Sequence, residues 1–306
     1  MSLIVGDVGG SNCRLATYHN GEIENIMVLP TAQSGGLAQA ISTYTQTFDS
    51  EFEAGCVAVA GPVHHNAAQL TNVDWYGSGA DFPCRGRIVN DLEAAAFGVQ
   101  ALNADSTLVL HDAPDSEGPQ AVIGIGTGHG LAWLFDSKVY PTESGHAEYA
   151  PPSAALSAFA ADFTAKHGRI RVEDVVSGMG IGHLLAYAIS QMGGEKPAAG
   201  YPAGAFVLEN AGRHPACDAV LDWFALSAGS VVGDVITRSL AKQVWLCGGV
   251  AQKWSTVLQR PQFRQGLYNK APMVKLVEQC RVSIALHPHL GLLGAAQVAQ
   301  SLCAPS

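Results

Sequence analysis

The chain has 306 residues, of which 48% are hydrophobic and only 14% are charged. At about 150 residues per domain, this length allows roughly two domains, and the ample apolar content argues against disorder. The 17 Lys and Arg against 26 Asp and Glu give a net charge of −9, with no basic run longer than a pair. Nucleic acids and anionic membrane surfaces bind clustered Lys and Arg. Neither is therefore expected as a partner.

The N-terminus and the cysteines indicate the compartment. The opening MSLIVGDVGG lacks the basic start and long apolar run of a signal peptide. No stretch has the roughly 20 predominantly apolar residues of a membrane span. The seven cysteines are odd in number and widely spaced, without a C-x-x-C pair, which argues against a disulfide framework and structural zinc. We therefore predict a cytoplasmic protein.

Short apolar runs alternate with helical stretches along the chain, which is typical of α/β proteins. We predict strands over residues 3–8, 13–18, 22–29, 55–60, 87–90, 121–135 (two strands around a glycine turn), 244–246 and 281–286. We predict helices over residues 37–48, 91–102, 154–167, 178–192, 216–241 and 290–301.

Two glycine turns share one plan, in which an apolar strand enters a turn with a hydroxyl residue and an apolar strand leaves it. They are V-G-D-V-G-G-S-N at 5–12 and I-G-I-G-T-G-H-G at 123–130. Their backbone N–H groups can cradle phosphate oxygens. One such turn in each half predicts a duplicated domain with a cleft between the copies. The candidate phosphate-binding residues are Gly6, Gly9, Gly10, Ser11, Asn12, Gly126, Thr127 and Gly128, with a further glycine pair at Gly248 and Gly249.

Two aspartates, Asp7 and Asp91, are candidates for the chemistry. Asp7 precedes the first turn, where a carboxylate beside phosphate requires an intervening Mg²⁺ or water; capping of the turn is the alternative. Asn90 and Asp91 lie at the junction of a strand and a helix. Asp91 is placed there to act as a general base, and a helix N-cap is the alternative.

A compact polar loop, Glu143-Ser-Gly-His146, follows in the second half. Two polar side chains on one loop suit a polyhydroxylated ligand, although a solvated loop has the same composition. Glu173 lies ahead of V-V-S-G, and the alternative interpretation is that it is an ordinary surface acid. The His64-His65 and His287-x-His289 pairs are weak metal signals, which leaves a metal-dependent hydrolase as a remote alternative.

In combination, these motifs resemble bacterial glucokinases of the proteobacterial type, within the actin-like sugar kinase superfamily. The resemblance runs nearly end to end. It rests on G-D-V-G-G-S-N at 6–12, A-G-P at 60–62 followed by Asn72, N-D at 90–91, G-T-G at 126–128, E-S-G-H at 143–146, Glu173, G-G-V at 248–250 and H-P with G-L-L-G at 287–294. Ser144 replaces a glycine of the family pattern, and His129 follows Gly128 where the family has leucine.

The resemblance implies an α/β, two-domain actin-like (ribonuclease H-like) fold with duplicated mixed-sheet domains and a central cleft. Residues 1–101 with 288–306 would form a small domain, and residues 102–287 a large one. The implied reaction is ATP-dependent phosphorylation of glucose to glucose 6-phosphate, with Mg²⁺ held through water by Asp7. Asp91 would be the catalytic base, and the two glycine turns with Gly248 and Gly249 would bind ATP. The implied sugar-binding residues are Asn72, Asn90, Asp91, Glu143, His146 and Glu173.

Two alternatives stay open beside glucose phosphorylation. One is a kinase for another hexose, such as mannose, glucosamine or an N-acetylhexosamine. The other is a non-catalytic sugar sensor on the same fold. The low charge and the apolar C-terminal segment also allow a homodimer.

Overall fold

In a computed structural model of the protein, the residues described are 2–48, 51–70, 73–114 and 116–303. The strands are β1 (Ser2–Val8), β2 (Asn12–His19), β3 (Glu22–Pro30), β4 (Ala54–Val59), β5 (Val63–His64), β6 (Ala67–Leu70), β7 (Trp75–Ser78), β8 (Arg85–Asn90), β9 (Thr107–His111), β10 (Gln120–Ile125), β11 (His129–Phe135), β12 (Lys138–Thr142), β13 (Gln243–Cys247) and β14 (Arg281–Ala285). The helices are α1 (Leu37–Phe48), α2 (Asp91–Gly98), α3 (Ala154–His167), α4 (Gly178–Met192), α5 (Ala203–Glu209), α6 (Pro215–Ser239), α7 (Gly249–Lys253), α8 (Ser255–Leu258), α9 (Pro261–Tyr268), α10 (Val274–Glu278) and α11 (Leu290–Cys303).

The chain forms two compact units. Unit 1 consists of Met1–Ser106, Val139–Pro141 and His287–Ser306, and unit 2 consists of Thr107–Lys138 and Thr142–Leu286. The predicted folding domains, 1–101 with 288–306 and 102–287, remain a proposal.

The five-stranded sheet of unit 1 has the order β3-β2-β1-β4-β8. Its internal strand β4 (AGCVAV) is buried at every position, as a parallel strand covered on both faces must be. Strand β1 pairs with β2 antiparallel and with β4 parallel, and β4 pairs parallel with β8. In this register Val8 lies opposite Val59, and Val59 lies opposite Asn90. The turn after β1 and the start of α2 therefore lie at the same edge of the sheet.

Helices cover both faces of this sheet. On one face, Leu37, Ile41 and Tyr44 of α1 join an apolar core. On the other face, α2 and α11 pack closely enough to need glycine at their contact, because a β-carbon at position 294 would collide with the carbonyl oxygen of Ala94. This contact fixes α2, and with it Asp91, against the C-terminal helix.

Unit 2 repeats the plan of an antiparallel hairpin beside parallel strands. Strand β10 pairs with β11 antiparallel and with β13 parallel, β13 pairs parallel with β14, and β9 closes the edge antiparallel to β14. Gly124 lies opposite Cys247. The turn after β10 and the glycine pair after β13 are therefore neighbours at one edge of this sheet.

One helix among the described residues, α6, is long and apolar enough to cross a membrane by length and composition. However, 78% of its most apolar 18-residue window is buried inside the protein. Its close packing with α9 uses glycines on both helices, since a β-carbon at Gly229 or Gly266 would collide with the partner's backbone carbonyl. The apolar surface of α6 is thus used in the core of unit 2.

The predicted helices over 37–48, 154–167 and 178–192 have the observed bounds. The helix predicted over 91–102 is too long, because α2 ends at Gly98 and the chain continues as a 3-10 turn, Val99–Ala101. The predicted helix over 216–241 ends early at Ser239, where Leu240 takes a left-handed φ of 57°. The sequence analysis missed the three-stranded sheet β5-β6-β7, strands β9 and β12, and the short helices α5, α8, α9 and α10, whose few residues give little periodicity.

Candidate active site

The first glycine turn joins β1 to β2. The Gly9 N–H donates to the Asn12 carbonyl (2.9 Å), and Thr31 ties the turn down by donating from Oγ1 to the Gly9 carbonyl (2.7 Å) and from its N–H to the Ser11 carbonyl (3.0 Å). Gly10 and Ser11 are exposed, and no atom lies within 4 Å of where a Gly10 β-carbon would be. Thr31 therefore fixes the backbone of the turn, while the tip at Gly10 and Ser11 is exposed to solvent.

Gly6 has a different position from the other predicted residues of this turn. It is buried inside β1, and a β-carbon there would lie 2.7 Å from Val57 Cγ2 and 2.8 Å from Leu15 Cδ2. Close packing of neighbouring strands explains the glycine without a ligand.

Asp7 is a partly buried acid at the end of β1. Its Oδ2 lies 3.7 Å from Arg14 Nη1, and a β-carbon at Gly291 would lie 3.2 Å from the same oxygen. Burial raises the pKa of Asp7, and the charges of Arg14 and His289 oppose that rise. The carboxylate is thus short of compensating positive charge.

Asp91 is the first residue of α2, and its neighbour Asn90 caps the helix. Asn90 Oδ1 accepts from the Leu92 N–H (2.9 Å), and its Nδ2 donates to the Gly61 carbonyl (3.0 Å). Asp91 Oδ1 also accepts from the Leu92 N–H (2.9 Å). The N-cap role that competed with catalysis belongs to Asn90.

The pKa of Asp91 is raised to about 6. Burial is the main cause, the hydrogen bond from Leu92 lowers the pKa, and the charge of Asp7 raises it. At pH 7 Asp91 is mostly ionised, yet it takes up a proton more readily than an ordinary aspartate, which is what a general base requires.

Asp7 also fits a magnesium site. Mg²⁺ is usually held by one or two carboxylates together with substrate phosphates, and a cation would favour the ionised form of a carboxylate whose pKa burial has raised. Within the described ranges, no group of three or more His, Cys, Asp or Glu side chains is placed to hold a metal. A metal at Asp7 would therefore need oxygens from a bound nucleotide or water.

The second glycine turn, in unit 2, is held by the start of α4. The Gly126 N–H donates to the Gly128 carbonyl (3.0 Å), while the N–H groups of Gly178 and Met179 donate to the carbonyls of Gly126 (2.8 Å) and Thr127 (3.3 Å). Thr127 is exposed, and nothing lies within 4 Å of a β-carbon at Gly126. Like the first turn, this one has its backbone fixed by hydrogen bonds and its tip exposed to solvent.

The Gly248 and Gly249 pair divides into two roles. Gly248 has a φ of 94°, and a β-carbon there would lie 2.6 Å from the Ile125 carbonyl oxygen, so its backbone requires glycine. Gly249 begins α7 and has open space around its α-carbon. Gly249 is the one that leaves room for a ligand.

The predicted polar loop is a 3-10 turn, Ser144–His146, in which the His146 N–H donates to the Glu143 carbonyl (3.0 Å). A β-carbon at Gly145 would collide with the His129 carbonyl oxygen, so this glycine is required. Burial lowers the pKa of His129 to about 4. His129 is neutral, and its ring Nδ1 lies 3.0 Å from the Val176 carbonyl oxygen. The contact with Gly145 thus comes from the backbone of residue 129, while the histidine side chain contacts the Val176 carbonyl instead.

The structure brings His146 and Glu173 together, with His146 Nδ1 lying 3.7 Å from Glu173 Oε1. The Glu143 side chain is exposed. Two residues that the sequence analysis missed complete this cluster. Arg171 Nη1 lies 2.8 Å from Glu173 Oε1 and 3.1 Å from His146 Nδ1, and Asp174 accepts two hydrogen bonds from the Arg171 guanidinium. The signal was present as R-V-E-D, a dense group of charges in a charge-poor chain.

Glu173 also adjoins the second glycine turn, because a β-carbon at Gly128 would lie 3.2 Å from Glu173 Oε2. The cluster around Glu173 and the phosphate-binding turn predicted at 126–128 are therefore neighbours within unit 2. Asn72, the remaining predicted sugar-binding residue, lies outside the described residues.

A family model for glucokinase matches residues 4–302. The chain belongs to the glucokinase family. Glucokinases from Chromohalobacter salexigens and Saccharophagus degradans are each 30% identical to it, and each alignment covers 96% of both chains. The predicted family is confirmed, and the chain is an enzyme.

Solved structures of glucokinases share the fold. One from an Antarctic psychrotroph matches with a TM-score of 0.87 at 26% identity, covering 98% of this chain and 99% of that chain. A ROK-family glucokinase from Streptomyces griseus in complex with glucose and AMPPNP matches with a TM-score of 0.69 at 19% identity, over 98% and 100% of the two chains. The predicted two-domain sugar kinase fold is confirmed for this member of the glucokinase family.

Proposed function

We propose that this glucokinase-family enzyme transfers the γ-phosphoryl group of ATP to the 6-hydroxyl of glucose, with Asp91 as the general base. The observation that carries the assignment of the base is a partly buried aspartate whose pKa is raised to about 6, at the sheet edge that also bears the first glycine turn. Membership of the glucokinase family supports the substrates.

Asp91 has one task in this reaction, which is to accept the proton of the attacking hydroxyl. Phosphoryl transfer depends mainly on positioning and charge neutralisation, and a positioned base adds about 10²- to 10⁴-fold. Asn90 holds Asp91 in place by capping α2 and bonding Gly61. Direct contact of Asn90 with the sugar remains part of the proposal.

The phosphates are proposed to lie against the two glycine turns. Gly9, Gly10, Ser11 and Asn12 would contribute from unit 1, and Gly126, Thr127, Gly128 and Gly249 from unit 2. Gly6 and Gly248 support these contacts indirectly, through the packing described above. Asp7 would hold Mg²⁺ through water, and the metal when bound offsets phosphate charge.

The sugar is proposed to bind Glu143, His146 and Glu173 in unit 2, with Asn72 and Asp91 from unit 1. Carboxylates accept hydrogen bonds from hydroxyls, and a neutral imidazole offers one donor. The buried Glu173 and the half-exposed His146 form one cluster, which supports assigning them to one ligand.

The compartment and the partners are proposed from the sequence. We propose a cytoplasmic enzyme that acts on small molecules, without nucleic acid or membrane partners, and a homodimer is its proposed assembly. All seven cysteines are free thiols, as expected in a reducing compartment.

The test is ATP consumption coupled to ADP detection, with product identity from ³¹P NMR. Glucose is expected to give glucose 6-phosphate, at a higher kcat/KM than mannose, glucosamine or N-acetylglucosamine. If one of these sugars has a higher kcat/KM than glucose, that sugar would replace glucose as the proposed substrate. Absence of ADP formation with the whole panel would contradict a kinase.

A further inference from the structure

Arg171 is the centre of the cluster in unit 2, and Asp174 fixes its orientation. Arg171 Nε donates to Asp174 Oδ2 (2.9 Å), and Nη2 donates to Asp174 Oδ1 (2.7 Å). Such a bidentate pair sets the plane of the guanidinium as well as its position. Nη1 is thereby directed at Glu173 Oε1 (2.8 Å) and His146 Nδ1 (3.1 Å).

This geometry decides the tautomer of His146. A guanidinium carries five N–H donors and no acceptor, so His146 Nδ1 has to offer its lone pair to Arg171. Glu173 Oε1, at 3.7 Å from Nδ1, is too far away to accept a hydrogen bond there. The ring proton therefore lies on Nε2. In the described part of the chain no protein group bonds Nε2, so this N–H is available to a ligand.

The same arginine balances the charge of Glu173. Burial alone would raise the pKa of Asp174, but the hydrogen bonds and charge of Arg171 hold it below its ordinary value. Asp174 therefore stays ionised and keeps the guanidinium in place. Glu173 is 9% exposed and has Arg171 as its ion-pair partner. An ammonium group arriving at Glu173 would meet a carboxylate already paired with a cation.

We infer that Arg171 is a positioning and specificity-determining residue of the sugar site. It fixes His146 as an Nε2–H donor and neutralises Glu173, so that the site accepts neutral hexoses and rejects amino sugars that carry a protonated amine. The inference rests on the proposed function, in which His146 and Glu173 bind the sugar.

The kinetic test compares Arg171→Ala with Arg169→Ala at pH 6.5, where glucosamine is largely protonated. Arg169 is the matched control, because among the described residues it donates only to the His146 backbone carbonyl (2.7 Å). In the wild type, glucosamine should have a far higher KM than glucose. Arg171→Ala should lower the glucosamine-to-glucose KM ratio by about tenfold or more, since an unpaired carboxylate attracts ammonium. N-acetylglucosamine, which is neutral, should not share this gain. Equal ratios in the two variants would overturn the specificity role.

A second measurement does not need activity. Long-range ¹H–¹⁵N correlation spectra of the ¹⁵N-histidine-labelled full chain report the tautomer of each ring, and His146→Gln assigns the signal. The wild type and Arg169→Ala should show His146 protonated on Nε2, and Arg171→Ala should show mixed tautomers. An unchanged Nε2–H signal in Arg171→Ala would overturn the positioning role.

Failure of the proposed function has a separate signature. If the wild type leaves the whole sugar panel unphosphorylated, the proposed function fails and the specificity role falls with it, whereas the tautomer spectra still decide the positioning role. If the wild type phosphorylates glucose and Arg171→Ala behaves as Arg169→Ala in both measurements, only the inference about Arg171 fails.

Discussion

Asp91 in unit 1 is the first residue of α2, and Asp174 in unit 2 is the last residue of a 3-10 turn, Val172–Asp174. Their surroundings shift the pKa values of these two aspartates in opposite directions. Asp91 is partly buried and has no cationic partner among the described residues, so burial raises its pKa to about 6. Asp174 is buried, but its three hydrogen bonds from Arg171, two from the guanidinium and one from the backbone N–H, hold its pKa below the ordinary value. This difference shows that a cationic partner, when present, decides whether an aspartate is structural or is available for catalysis. An unpaired buried carboxylate is available to take a proton, and a paired one is structural.

The largest expected effect comes from removing the unpaired acid. Asp91→Asn keeps the shape of the side chain and the acceptor for Leu92 but cannot accept a proton. We expect kcat to fall by about 10²- to 10⁴-fold, with glucose binding retained in a calorimetric titration. The paired control is Asp174→Asn, which should keep far more of its kcat. Wild-type turnover in Asp91→Asn would remove Asp91 from the role of base.

The pH dependence of turnover should report the same acid. Because only ionised Asp91 accepts a proton, kcat/KM should fall as the pH drops below about 6, by up to tenfold per pH unit, as expected for one titrating group. Initial rates with glucose between pH 5 and 8 measure this limb. A profile that stays level down to pH 5 would contradict the raised pKa.

Stability should show the two aspartates as opposites. The folded pKa of Asp91 is above its unfolded value, so its ionisation costs stability progressively as the pH rises from the unfolded pKa to about 6, and the cost is complete above that pH. Asp91→Asn should therefore raise the free energy of unfolding at pH 8, by about 2 kcal/mol. The folded pKa of Asp174 is depressed, so its contribution is present above the unfolded pKa and is lost as the pH falls through the folded one. Asp174→Asn should lower stability at pH 7 by about 1–3 kcal/mol.

Urea unfolding at pH 8, pH 7 and pH 4 measures both effects. The gain from Asp91→Asn should shrink at pH 4, since the wild-type Asp91 is then protonated in the folded state. A loss of stability in Asp91→Asn at pH 8 would contradict an unpaired acid at this position.

The smallest expected effect is the coupling of Asp7 to Asp91. The charge of Asp7 contributes to raising the pKa of Asp91, so Asp7→Asn should lower that pKa. A ¹³C NMR titration of the aspartate carboxyls in the variant and the wild type measures the shift without requiring turnover. An unchanged or raised pKa would mean that the two acids do not interact.

The sequence predicted the fold and most of the candidate site. Parallel strands of buried residues such as β4 and long helices such as α4 have strong periodicities, and local spacing placed their ends well. The two glycine turns were predictable because a backbone that turns tightly and stays open needs glycine. The short sheet β5-β6-β7 was missed because two to four residues carry almost no pattern.

The sequence by itself determined the family, the turns and the presence of an Asn-Asp pair at a helix start, since all of these depend on neighbours along the chain. The pairing of Arg171 with Asp174 is local, since the two residues are three positions apart. Only the tertiary structure decided that Asp91 is partly buried with no cationic partner among the described residues, because burial depends on side chains from other elements. It also decided the part played by Arg171, since the contacts of that side chain with His146 join residues 25 positions apart. Sequence order carries no information on such distances.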